Sequence, residues 1–209
     1  MKGRLASLSL IATLIFGVAV VALLFLAPDI DPMRSGISFY ALTRYSLLIS
    51  VALALIGLSG LFLALALWPS TRTLAGRIGL VLLIAWGITS ILAGAFPLDA
   101  PGAVPTLSGS IHNMAGLNFL LIAPAVLLIE RTRLPHGDPA PPQPITSWLT
   151  SWLAWLVLIA AILLFTFNGP LASMGIGGLI QRLYWLVLAL WFLFKAQHIR
   201  QTAVKNAVA

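Results

Sequence analysis

The chain has no cysteine, which excludes disulfides and thiolate metal sites. Charge is scarce as well. Asp, Glu, Lys and Arg make up 8% of its 209 residues, against about 25% in ordinary soluble domains. A surface that poor in charge is not solvated by water, so an ordinary soluble domain is excluded. Only five residues are acidic. The net charge is +7, yet the basic residues stand singly between apolar runs. They form no patch that follows a phosphate backbone, so a nucleic-acid partner is excluded.

What is present is apolar. Hydrophobic residues make up 60% of the chain, and the mean hydropathy is +1.05. A bilayer crossing takes roughly 20 mostly apolar residues. Six runs satisfy this: 5–27, 43–68, 77–96, 112–130, 147–167 and 176–195. The first follows Lys2 and Arg4, as the core of a signal peptide would. Its apolar run of about 22 residues exceeds the roughly 7–15 of a signal sequence, and it reads as a retained helix. The expected fold is an all-α, polytopic transmembrane helix bundle: six transmembrane helices in a single membrane domain over 1–209. The stretch 131–146 is Pro-rich and reads as an extended cytoplasmic loop. Pro124 lies within the fourth span and is expected to kink it. No internal repeat is evident, which weakens an inverted-repeat transporter.

Lys and Arg set the orientation. With the ends of the spans numbered alternately, one side collects Lys2, Arg4, Arg72, Arg77, Arg131, Arg133, Lys195, Arg200 and Lys205. The other collects Arg34, Arg44 and Arg182. Nine against three places both termini in the cytoplasm and the protein in the inner (cytoplasmic) membrane as a multi-pass protein. Trp148, Trp152 and Trp155 share one helix face and read as an interfacial belt with packing. Gly57 with Gly60, and Gly175 with Gly177 and Gly178, read as sites of close helix approach.

The outer side holds Asp29, Asp31, Arg34, Arg44, Asp99, His112 and Arg182. Asp99 follows the third span. His112 opens the fourth behind Ser108 and Ser110, either of which suits a helix cap. Arg182 stands about two turns into the sixth span, where a cation is costly unless it faces the bundle or reaches water. Asp99 is its expected partner, with Asp29 or Asp31 as the alternative. Asp99 and His112 are the candidate catalytic residues, for acid–base work. Ser108 or Ser110 is the conceivable nucleophile. Arg182 is the candidate ligand-binding cation for a phosphate or carboxylate. A zinc site needs about three protein ligands. His136 and His198 fall across the bilayer from His112, so neither metal nor cofactor is expected.

Four motifs recur in order: Ile37-Ser38 with Tyr40, Phe96-Pro97-x-Asp99, Gly109-x-x-His112, and Gly178-x-x-x-Arg182. Their order and placement resemble the domain of unknown function 998 family of prokaryotic integral membrane proteins, over about residues 10–197. The resemblance implies a helical membrane bundle with a shared polar constellation on one face. It adds Ser38 and Tyr40 to the ligand-binding candidates and implies no activity. Membrane hydrolases of the alkaline ceramidase type need a multi-His zinc site, which is absent here.

The expected function is therefore non-catalytic binding of membrane lipids or a partner at an outward Asp/His/Arg cluster. The occupant would be an anionic lipid headgroup or a small molecule. One alternative is an intramembrane lipid hydrolase or transferase acting at the outer leaflet. The other is a small transporter, weakened by the lack of an ionisable group near the bilayer centre.

Overall fold

In lipid every backbone polar group must be satisfied within the chain, and a long apolar run therefore folds as a helix. The computed structural model describes residues 1–131, 145–166 and 173–208. Its helices are α1 (Lys2–Leu26), α2 (Ser46–Leu67), α3 (Leu74–Ala95), α4 (Leu107–Gly116), α5 (Phe119–Arg131), α6 (Ile145–Thr166) and α7 (Gly177–Val208). Short 3₁₀ turns cover Ile37–Leu42 and Trp68–Ser70. Among the described residues six spans are long and apolar enough to cross a membrane, with α4 and α5 together forming the fourth. The protein is a multi-pass, membrane-type helical bundle.

The fourth span departs from expectation. It begins at Leu107 rather than near 112 and breaks at Leu117–Asn118, and Pro124 sits inside α5. At the break the amides of Leu117, Asn118 and Leu120 turn to carbonyls three residues back. The buried Asn118 side chain donates to Ser90 Oγ on α3 at 2.9 Å. The cap is also different: Thr106 Oγ1 accepts from the Gly109 amide at 3.0 Å, while Ser108 and Ser110 bond other carbonyls. The Pro-rich loop of 131–146 lies, from 132 to 144, outside the described residues.

The spans close into a ring of neighbours, α1–α2–α3–α5–α6–α7 and back to α1, with α4 resting on α3. Aromatic rings fill the middle. Trp86 lies 5.4 Å from Phe192 and 6.3 Å from Trp185, and Phe16 lies 5.3 Å from Trp185. Lipid tails are as apolar as leucine, so helices in a bilayer associate through close packing and polar links. Both devices are present. A Cβ at Gly57 would fall 2.5 Å from the Gly87 carbonyl oxygen, so α2 and α3 cross backbone to backbone. Between α1 and α2, Ser59 Oγ meets Ser9 Oγ at 2.8 Å and Thr13 Oγ1 at 2.7 Å, all buried. Trp148, Trp152 and Trp155 stand exposed on the lipid face of α6.

Two ends result. The loop end carries residues 27–45, 96–106 and the start of α7. The terminal end brings Gly3 beside Ala203.

Candidate functional site

The sequence-predicted residues divide between two corners of the loop end. The first joins α3 to α4. Asp99 accepts from the Thr106 amide at 2.8 Å and from its hydroxyl at 2.7 Å. These two donors hold the Asp99 carboxyl below the ordinary aspartate range. The carboxylate lies flat against Gly109, where any Cβ would collide with it. His112, one turn further on, is buried, and its Nδ1 meets the carbonyls of Ala93 and Phe96, each at 2.9 Å. Two acceptors at one nitrogen make Nδ1 the protonated one. The ring thus satisfies carbonyls that the end of α3 leaves without an intrahelical donor. Asp99 and His112 do not bond each other, so the oriented carboxylate–imidazole pair of acid–base catalysis is not formed.

The second corner clamps the first loop onto α7. Expectation paired Arg182 with Asp99 or another outer aspartate. Instead, its Nη1 donates to the carbonyls of Pro32 and Ser35, each at 2.6 Å, and to Gly178 at 3.2 Å. Its Nη2 donates to the Tyr40 hydroxyl at 3.1 Å, and the guanidinium lies 5.7 Å from the Tyr40 ring centroid. The physical reason is the approach of the loop. Gly178 has no side chain, and the Pro32 and Ser35 carbonyls occupy the space a Cβ would take. Gln181 completes the clamp by accepting from the Ile37 amide at 2.7 Å. Asp31 pairs instead with Arg34 at 3.5 Å, on the exposed surface.

Tyr40 is fully buried beside Arg182, and Ser38 lies two residues before it on the same 3₁₀ turn. Arg182 forms no salt bridge with any described carboxylate, and its Nε is buried without a hydrogen-bond partner. The corner therefore keeps a formal positive charge. Among the described residues, no hydrogen bond or salt bridge joins it to the Asp99 corner.

A third polar cluster escaped sequence reasoning. Glu130, at the end of α5, is buried and pairs with the fully buried Lys195 of α7. Trp191 Nε1 donates to the same carboxylate at 3.1 Å, and Thr150 Oγ1 of α6 donates at 3.2 Å. The signal was present: Glu130 is the chain's one glutamate, and Trp191 and Lys195 share a helix face four residues apart. The cluster ties α5, α6 and α7 together at the terminal end. Among the described residues, no group of three or more His, Cys, Asp or Glu is placed to hold a metal.

The model of the family described as "Protein of unknown function (DUF998)" matches residues 10–198. No curated protein and no solved structure matches the chain. The resemblance to that family is borne out.

Proposed function

The chain belongs to the DUF998 family, and from that premise we propose that it binds the anionic headgroup of a membrane lipid at the Arg182–Tyr40 corner. One observation carries the reading: Arg182 is held in place by carbonyls and a tyrosine hydroxyl, with no carboxylate among the described residues to neutralise it. Carbonyl dipoles orient a guanidinium but leave its charge, and a second Nη2 hydrogen remains to donate. Tyr40 is fully buried and accepts from Arg182, which fixes the orientation of the guanidinium. A phosphate or carboxylate at the membrane surface suits that donor set.

The positive-inside pattern supports a cytoplasmic membrane with both termini inside, which turns this corner to the outer leaflet. Binding is favoured over hydrolysis because Asp99 and His112 are engaged separately, in the α3–α4 corner. It is favoured over transport because aromatic side chains fill the ring's centre.

Native mass spectrometry of protein purified in mild detergent tests the reading. Wild type should retain anionic lipid. Arg182→Gln should retain about tenfold less, the worth of one charge-assisted hydrogen bond. His112→Gln should retain lipid as wild type does. Equal retention by the Arg182 variant, with its thermal unfolding unchanged, would count against a headgroup site.

A further inference from the structure

We propose that the groove between α1 and α7 holds one acyl chain of the lipid whose headgroup rests on Arg182. The inference rests on the headgroup reading above and extends it to the hydrophobic part of the ligand. The groove is an apolar depression of about 490 Å³ on the lipid-facing side, bounded by Thr13 to Ala22 of α1 and Leu186 to Leu193 of α7.

Three observations select a lipid chain as its occupant. The first is Gly17. Most of the glycines inside the spans, such as Gly57 and Gly79, press against a neighbouring helix, but a Cβ at Gly17 would meet nothing within 4 Å. Its missing side chain deepens the groove and serves no helix contact. The second is depth. Nine residues of helix rise about 14 Å, close to half of a hydrocarbon core about 30 Å thick. The groove is therefore one leaflet deep, the reach of a single chain. The third is charge. Arg182 precedes Leu186 by four residues, so both lie on one face of α7. The groove's upper end thus sits one turn below a cation that pairs with no carboxylate among the described residues. The small Ala22 and Ala189 keep the channel open.

Competition between defined lipids, read by native mass spectrometry, tests this. The probes are phosphatidylglycerol with sixteen-carbon chains, phosphatidylglycerol with six-carbon chains, and long-chain phosphatidylcholine. Inorganic phosphate serves as the free-anion control. Wild type should prefer the long-chain anionic lipid over each of the others. Gly17→Leu fills the groove from one wall and Ala189→Leu from the other. Each should abolish the chain-length preference and leave the anionic preference intact. Arg182→Gln should do the reverse. A chain-length preference that survives both groove-filling variants overturns the inference. Loss of chain preference at the groove with no effect of Arg182→Gln upholds the chain site and overturns the headgroup reading. Displacement of the long-chain lipid by inorganic phosphate alone overturns the chain site. A dimer mass that disappears in Gly17→Leu also overturns it, because the groove would then be covered by a second copy.

Discussion

A buried charge is tolerable only while its partner stays. Glu130 and Lys195 are the sharpest instance, since both are buried and the carboxylate also accepts from Trp191 and Thr150. Removing one member of such a pair typically costs about 3–5 kcal/mol, whereas replacing both is far milder. Lys195→Met should therefore lower thermal stability in bicelles strongly, and Glu130→Gln combined with Lys195→Met should recover most of it. A double variant no more stable than the single one would show that the pair is not the source. Asp99 gives a second prediction, in pH. Its folded value is lowered by the Thr106 amide and hydroxyl. Its contribution to the α3–α4 corner is thus complete above the ordinary aspartate value and lost as pH falls through the lowered folded value. The Thr106 amide NMR shift should titrate with a midpoint below that ordinary value, and the step should vanish in Asp99→Asn. A midpoint at or above it would mean the two bonds do not persist in solution.

At the scale of elements, glycine decides how closely helices cross. A side chain at Gly57 meets the Gly87 carbonyl, and one at Gly17 meets nothing. Gly57→Val should destabilise the bundle by about 1–3 kcal/mol, the usual cost of overpacking. Gly17→Ala should be neutral or stabilising by up to about 1 kcal/mol, because alanine is the better helix former. Thermal unfolding of the two variants side by side checks the contrast, and equal losses would contradict it. The spans themselves were legible in the sequence, because lipid imposes length and apolarity on each. The break in the fourth span was not. It depends on Asn118 finding Ser90 on another helix, a pairing that no local pattern encodes.

The candidate site was legible as residues and illegible as partners. Arg182, Tyr40, Asp99 and His112 all stand out as polar groups beside apolar runs. The partners of Arg182 and His112 are mostly main-chain carbonyls, which every residue carries and which leave no mark in composition. The clasp from Arg182 to Pro32 also spans 150 positions, so only the closure of the ring reveals it.

The whole molecule is a ring of helices with an aromatic centre, a loop end and a terminal end. Because the chain has no native cysteine, single cysteines report orientation cleanly. In intact cells Ala103→Cys should react with a membrane-impermeant maleimide, and Gln201→Cys should react only after the membrane is opened. The opposite pattern would invert the protein and place the Arg182 corner on the inner leaflet. The most direct measurement of the lipid site is an experimental density map of the protein in nanodiscs that contain an anionic phospholipid. The expected map shows a headgroup phosphate within hydrogen-bond reach of Arg182 Nη2, with one chain descending past Gly17. A map in which Arg182 is covered by protein alone, with no ordered lipid above the groove, would contradict it.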